Sequence, residues 1–207
     1  MDYRAVGNRC AVAMDPLQLP IPTDQAVDIL ETLGFRVVAV DLIALARQCV
    51  GTSRYRRGAR LSQAPAVVDC SSLTKWLYAQ LGIWLPRRSI QQRDLGFDVW
   101  PHELLPGDLV FVSGWINYYH HDPASGVGHV GIATGAGTVI HAANRQLGVV
   151  ESPLDAFVGQ TKWRCAKRYL PVSIGVLTLE TPAGREVETS SDILWIIRQS
   201  LPRTKQQ

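Results

Sequence analysis

The sequence lacks a run of apolar residues long enough to span a membrane, and residues 1–9 lack the long apolar core of a signal peptide. It also lacks a strong excess of charge, since a formal net charge of +3 is too small to indicate nucleic-acid binding by itself. We therefore expect no membrane insertion and no nucleic-acid partner. By default we expect a cytoplasmic protein, or one that leaves the cell by another export route.

Cysteine is scarce as well, with four residues at positions 10, 49, 70 and 165. No two of them form a CxxC pair, and their spacing does not match that of zinc ligands. They are too few for the dense disulfide framework of a small secreted protein. The 207 residues are instead enough for one domain with its own hydrophobic core plus an elaboration.

What the sequence does contain is a helix pattern with a cysteine at its start. From Leu73 to Leu81 every fourth residue is a leucine, which is the spacing of one helix face, and Gly82 is a suitable C-terminal stop. Cys70 then lies in the first turn, where free backbone N–H groups and the helix dipole favour a thiolate, so we expect its thiol to ionise readily. The alternative is an unreactive cysteine that extends the apolar face into the core.

The pattern changes from helical to strand-like along the chain. Start and stop signals predict helices over 24–33, 42–50 and 89–95, and short runs rich in branched residues predict strands from 108 onward. Helices first and an antiparallel meander second is typical of an α+β fold.

The same patterns predict a domain organisation in three parts. The C-terminal part contains two short runs, 176–180 and 185–188, that predict a hairpin, and Ser191 then begins a predicted helix. The expected parts are an N-terminal extension (1–40) with a helix and a short strand, a catalytic domain (41–170), and a C-terminal extension (171–207) with a hairpin and a helix.

Two histidines fall on a predicted hairpin in the strand-rich region. His129 begins one strand and His141 lies on its partner, with a short glycine-containing turn between them. Residues near opposite each other on antiparallel strands have side chains about 5 Å apart, so we expect the two imidazoles to lie side by side. If the sheet packs on the helix of Cys70, His129 can take the thiol proton and His141 can orient His129, as covalent catalysis requires.

These motifs resemble those of the NlpC/P60 cysteine peptidases, papain-like enzymes that cut bacterial cell-wall peptides. The resemblance extends from about residue 41 to 170. The matching segments occur in the family's order, at 68–71, 81–83, 85–92, 105–111, 129–132 and 139–142. It implies a papain-like α+β fold in which N-terminal helices pack on an antiparallel β-sheet, with short extensions at both ends.

The resemblance also implies a reaction and three catalytic residues. Cys70 is the expected nucleophile, His129 the general base and His141 the orienting residue. The expected substrate is a peptidoglycan-derived peptide, and the expected bond is a γ-D-glutamyl amide to a diamino acid, cleaved through a thioester. No cofactor is expected.

Four further residues acquire roles only through the resemblance. Tyr55 is expected to stabilise the oxyanion together with the backbone N–H of Cys70. Asp69 and Ser71 match positions that line the substrate pocket. Arg87 is expected to hold the structure rather than to contact the substrate.

Several alternatives remain open at this stage. An acyltransferase or deamidase uses the same thioester chemistry, and a binding module can keep the papain-like shape without catalysis. A metal site at His120, His121, Asp122 and His129 is not favoured, because adjacent histidines in an extended loop point in different directions. The aromatic-rich insertion 113–128 ends at His129, which suggests a lid or a wall for the substrate.

Overall fold

The computed structural model describes residues 2–15, 19–159, 161–172 and 175–201. These residues divide into two compact units. One unit draws on 1–40, 79–84 and 171–207, and the other on 41–78 and 85–170.

The secondary structure consists of short helices and short strands. The helices are α1 (Thr23–Thr32), α2 (Leu42–Cys49), α3 (Cys70–Gln80), α4 (Ser89–Arg93), α5 (Leu154–Val158) and α6 (Ser190–Ser200). The strands are β1 (Arg9–Ala13), β2 (Arg36–Val38), β3 (Arg54–Tyr55), β4 (Val67–Val68), β5 (Phe97–Val99), β6 (Leu109–Val112), β7 (His129–Ala133), β8 (Thr138–Asn144), β9 (Gly148–Pro153), β10 (Trp163–Arg168) and β11 (Val176–Glu180).

The larger unit is built on a six-stranded sheet in the order β5-β10-β6-β7-β8-β9. Every neighbouring pair in this sheet is antiparallel. All four residues of β6 are buried, as their uninterrupted apolar run Leu-Val-Phe-Val requires. Helices combined with an antiparallel sheet confirm the predicted α+β class.

The hairpin that carries the two histidines is present as predicted. β7 and β8 pair antiparallel, with Ile132 opposite Ile140 and Ala133 opposite Val139. The connection contains Gly135 and Gly137, both with positive φ, which suits a tight reversal between the strands.

The predicted helix of Cys70 is confirmed as α3. Leu73 and Leu77 are fully buried, so the leucine face does point into the core. Gly82 has φ +74°, and a Cβ at this position would lie 2.6 Å from the backbone nitrogen of Cys10. Glycine therefore ends the helix both because of its conformation and because of a close backbone approach.

The smaller unit contains a three-stranded antiparallel sheet in the order β1-β11-β2, and it corrects one prediction. The predicted hairpin of 176–180 with 185–188 is wrong, because β11 pairs with strands from the N-terminal segment on both of its edges. Glu180 of β11 accepts hydrogen bonds from Arg9 of β1 and Arg36 of β2, which adds an ionic contact on each side. β1 is also a strand that the sequence pattern did not predict.

The C-terminal helix is present and begins slightly earlier than predicted. The Asp192 side chain accepts the backbone N–H of Thr189 at 2.9 Å, which satisfies a free donor at the start of α6. The apolar residues Ile193, Ile196 and Ile197 of this helix are buried. None of the helices in the described part of the chain has the length and apolar content needed to cross a membrane.

Candidate active site

Cys70 is held at the start of α3 by a reciprocal cap. The Asp69 carboxylate accepts the backbone N–H of Ser72 at 2.8 Å, and the Ser72 hydroxyl accepts the backbone N–H of Asp69 at 2.8 Å. Such a pair satisfies two helix-start donors at once and fixes the direction in which the chain enters the helix. Cys70, between these two residues, is positioned by the same bonds.

The Asp69 carboxylate also binds the neighbouring segments of the chain. The Arg87 guanidinium donates to both carboxylate oxygens, and the backbone N–H of Gly58 donates at 2.9 Å. Burial raises the pKa of Asp69, but the hydrogen bonds from Arg87 and Ser72 outweigh it and hold the pKa below its ordinary value. Asp69 is therefore ionised, with its oxygens engaged by protein donors.

Arg87 has the structural position that the sequence analysis predicted. Besides Asp69, it donates to the Ser71 hydroxyl at 3.0 Å and to the Ala59 carbonyl at 2.8 Å. It thus ties the loop before α3, the helix start and the segment before α4 to one another. Ser71 and Asp69 both line the pocket described below, so Arg87 also fixes part of its wall.

The structure brings the two predicted histidines into direct contact. His129 Nε2 lies 2.9 Å from His141 Nδ1, and the rings are nearly perpendicular with centroids 5.1 Å apart. The contact is diagonal across the strands, because Gly131 rather than His129 lies against the backbone of His141. A Cβ on Gly131 would be 3.1 Å from the Cβ of His141 and 2.3 Å from a methyl group of Val139, so the absent side chain leaves room for the ring.

Two residues that the sequence analysis missed complete the surroundings of the histidines. The Ser152 hydroxyl on β9 lies 3.1 Å from His141 Nε2, which extends the hydrogen-bonded chain by one group. The Phe157 ring on α5 packs against both imidazoles, with centroids 5.5 Å from His129 and 4.7 Å from His141. Neither residue has a sequence signal, because one serine and one phenylalanine in a strand-rich region are ordinary.

Burial keeps both imidazoles uncharged. It lowers the pKa of His129 to about 3, with the nearby His141 and Lys162 adding to the effect. It lowers the pKa of His141 to about 4. Both rings are therefore neutral bases at neutral pH.

The Cys70 thiol is also neutral, which corrects the expectation of a readily ionised sulfur. Burial raises the pKa of Cys70 to about 11, and the charge of Asp69 adds to the increase. The backbone N–H groups of Val130 and Ser71 lower it, but they are outweighed. Because Val130 follows His129 on β7, this contact also places the sulfur at the start of the histidine strand.

Tyr55 lies beside the start of α3 because β3 pairs in parallel with β4, with Tyr55 opposite Val68. Burial raises the pKa of the Tyr55 phenol, and the charge of Asp69 raises it further, so its hydroxyl stays protonated. A pocket of about 930 Å³ joins this side to the hairpin. All six predicted site residues line it: Tyr55, Asp69, Cys70, Ser71, His129 and His141.

The insertion 113–128 forms part of the pocket wall. It closes on itself through two backbone hydrogen bonds of 2.9 Å between Tyr118 and Val127. Arg93 donates to the Ser125 carbonyl at 2.6 Å, and His120 lies 2.7 Å from Asp94, so the insertion is attached to the segment around α4. Among the described residues, no group of three or more histidine, cysteine or acidic side chains is arranged to hold a metal ion.

The part of the chain that lines the pocket resembles known proteins. The model of the NlpC/P60 family matches residues 51–168. A probable endopeptidase of Corynebacterium glutamicum is 40% identical over 114 residues, which are 55% of this chain and 47% of the relative. A gamma-D-glutamyl-L-lysine dipeptidyl-peptidase of Bacillus cereus is 35% identical over 104 residues, 50% of this chain and 29% of the relative. The chain thus spans about half or less of the length of these relatives.

Solved structures resemble the fold as well. The crystal structure of an NlpC/P60 family protein from Bacillus cereus superimposes with a TM-score of 0.51 at 29% identity, covering 66% of this chain and 42% of that one. The family model covers more than half of the chain, and it includes the cysteine, the two histidines and the tyrosine of the pocket. This chain belongs to the NlpC/P60 family.

Proposed function

We propose that this protein is a cysteine peptidase that hydrolyses an amide bond in a peptidoglycan-type peptide, of the γ-D-glutamyl–diamino acid type, through a thioester on Cys70. The observation that carries the proposal is one open pocket that presents the Cys70 thiol, the His129–His141 pair and the Tyr55 hydroxyl together. The name of the Bacillus cereus relative, a gamma-D-glutamyl-L-lysine dipeptidyl-peptidase, supports the choice of bond.

The hydrogen-bonded chain behind the histidines selects one proton arrangement for catalysis. His129 Nε2 is engaged with His141, so Nδ1 is the ring atom that accepts the thiol proton. A neutral His129 ring with a free Nδ1 carries its proton on Nε2 and donates it to His141 Nδ1. The His141 proton is then on Nε2 and points to the Ser152 oxygen, so that Ser152 holds the tautomer of both rings.

The first half of the reaction forms the thioester. As the Cys70 sulfur attacks the amide carbon, its proton passes to His129, and the oxyanion is stabilised by the Tyr55 hydroxyl and the backbone N–H of Cys70. The tetrahedral intermediate then collapses, and the leaving amine takes the proton from His129. In the second half His129 deprotonates a water that attacks the thioester carbon. The C–S bond then breaks, the sulfur takes the proton back from His129, and the acid leaves the pocket.

The charge state of the resting site implies that the thiol is deprotonated in step with attack. A thiol with a raised pKa and an imidazole with a lowered pKa do not exchange a proton spontaneously, because each is more stable uncharged. A bound substrate excludes water and places its carbonyl carbon next to the sulfur. Attack on that carbon then makes transfer of the thiol proton to His129 favourable. Asp69 and Ser71 contribute by shaping the pocket around the reacting groups.

The test is to incubate the protein with purified muropeptides and identify the products by mass, with Cys70→Ala as the matched control. The expected result is cleavage between D-glutamate and the diamino acid by the wild type and no cleavage by the variant. Loss of ammonia alone would indicate a deamidase, and a product joined to an added amine would indicate an acyltransferase. Failure to cleave any muropeptide, or equal activity of Cys70→Ala, would overturn the proposal.

A further inference from the structure

The pocket has an excess of positive charge that the proposed chemistry does not use. Four cationic side chains line it: Arg57, Arg87, Arg88 and Lys162. Asp69 is the only acidic residue among the described residues that line it, and Arg87 occupies it. Within the described part of the chain, none of the other three cations forms an ion pair with a carboxylate.

Two of these cations are gathered around one aromatic ring. Arg57 donates to the Tyr118 hydroxyl at 3.4 Å, and the Arg88 guanidinium lies 5.6 Å from the centre of the same ring. Arg57 comes from the loop after β3, Arg88 precedes α4, and Tyr118 belongs to the insertion. Three separate segments of the larger unit therefore meet at this point of the pocket rim.

This arrangement is suited to an anionic ligand. Two guanidinium groups with the same charge repel each other when they are held near one ring, and a bound anion removes the repulsion. Both arginine side chains belong to exposed residues, so they are accessible from the pocket. A guanidinium offers paired donors that match the two oxygens of a carboxylate better than they match an amide.

We propose that Arg57, Arg88 and Tyr118 form a subsite for a free carboxylate of the substrate peptide, outside the reacting amide. This inference rests on the proposed function, because it specifies which peptides the same pocket accepts. The enzyme then favours peptides with free carboxylates over the same peptides in carboxamide form. The aromatic ring keeps the two guanidinium groups in place between turnovers, and so the subsite is present before the substrate binds.

The experiment compares kcat/KM for a muropeptide with free carboxylates and for versions in which each carboxylate is amidated in turn. For the wild type, amidation at the recognised position should lower kcat/KM about tenfold, the order expected for losing hydrogen bonds to a charged group. The double variant Arg57→Gln/Arg88→Gln should lose most of this preference. High salt should weaken the preference in the wild type, because the subsite is open to solvent.

The matched control is Arg56→Gln. Arg56 precedes Arg57 in the same loop, but its guanidinium binds Gln63 and it is not among the pocket residues. The variant removes one positive charge from the same loop, and its ratio of carboxylate to carboxamide activity should equal that of the wild type. A double variant that keeps the wild-type ratio, or a wild type without preference, would overturn the subsite while the hydrolase proposal stands.

Binding to Cys70→Ala gives a readout that does not need cleavage. Calorimetry with this variant should show tighter binding of the carboxylate peptide than of the carboxamide, and the difference should disappear when Arg57 and Arg88 are also replaced. Equal binding of both peptides would contradict the subsite. The carboxylate preference in binding without cleavage by the wild type would support the subsite and contradict the hydrolase.

Discussion

The two sides of the pocket differ in the charge of their buried side chains. On the α3 side, Asp69 is ionised, and Arg87 and backbone N–H groups bind its oxygens. On the hairpin side, His129 and His141 are neutral because they are buried against Phe157. The ionised Asp69 thus holds chain segments together, whereas the two imidazoles that we propose act in proton transfer are uncharged.

This difference explains why Cys70 and His129 do not form an ion pair before a substrate binds. A buried charge is stable only with several donors around it, and Asp69 has them. The Cys70 sulfur accepts hydrogen bonds from the backbone N–H groups of Val130 and Ser71, but these do not outweigh its burial and the nearby carboxylate. The same interior therefore keeps one acid ionised and another protonated.

Removing the base on the neutral side should have the largest effect. His129→Ala takes away the ring that we propose receives the Cys70 proton, so kcat should fall about a thousandfold or more, as for other nucleophile–base pairs. The measurement is single-turnover cleavage of a muropeptide, with the far-ultraviolet circular dichroism spectrum as a check on folding. Activity within tenfold of the wild type would show that another group acts as the base.

The protonation state of the thiol can be measured by alkylation. With a pKa of about 11, the rate of Cys70 reaction with iodoacetamide should rise about tenfold for each pH unit from 7 to 10. Cys70→Ala corrects for the other cysteines. A rate that is already high and flat at neutral pH would indicate a resting thiolate–imidazolium pair and would remove the contrast between the two sides.

Removing the cation that pairs with Asp69 should lower the stability of the fold. Arg87→Met leaves Asp69 buried without its cation, and so the free energy of unfolding should fall by about 2–4 kcal/mol. The control is the neighbouring Arg88→Met, which should change it by less than about 0.5 kcal/mol, because this exposed residue has no carboxylate partner among the described residues. Urea unfolding measures both, and equal effects would mean that the ion pair contributes nothing specific.

The same pair predicts a direction of pH dependence. Because the pKa of Asp69 is below its ordinary value of about 4, the pair stabilises the fold above that pH. The contribution is lost as the pH falls through the lower value of the folded state. Asp69→Asn should therefore show a shallower loss of stability on acidification than the wild type. Parallel stability curves for the two proteins would argue against an ionised Asp69.

The smallest expected effect lies at Ser152. Ser152→Ala removes the acceptor of His141 Nε2 without touching a reacting atom, so kcat should fall about tenfold while KM changes little. Ser152→Thr keeps the hydroxyl and should restore most of the rate, and the pH profile of kcat should shift only in the alanine variant. Unchanged kinetics in Ser152→Ala would show that His141 needs no hydrogen-bond partner at Nε2.

Much of the site could be predicted because its signals are local. The leucine spacing after Cys70, the stop at Gly82 and the two strands around Gly135 are patterns within about a dozen residues, and all of them are present in the structure. The expectation of a readily ionised thiol was wrong for the opposite reason. A pKa depends on burial and on Asp69, and the helix-start argument considers neither.

The sequence by itself determined the helix, the hairpin and the family to which they belong, because periodicity, turn residues and motif order act over short distances. Only the tertiary structure decided that Ser152 contacts His141, that β11 pairs with β1 and β2, and that Tyr118 contacts two arginines. Each of these is a contact between segments far apart in the chain, where many partners are chemically equivalent until packing selects one. The neutral state of Cys70, His129 and His141 follows from the same packing, since burial is the main cause of their pKa shifts.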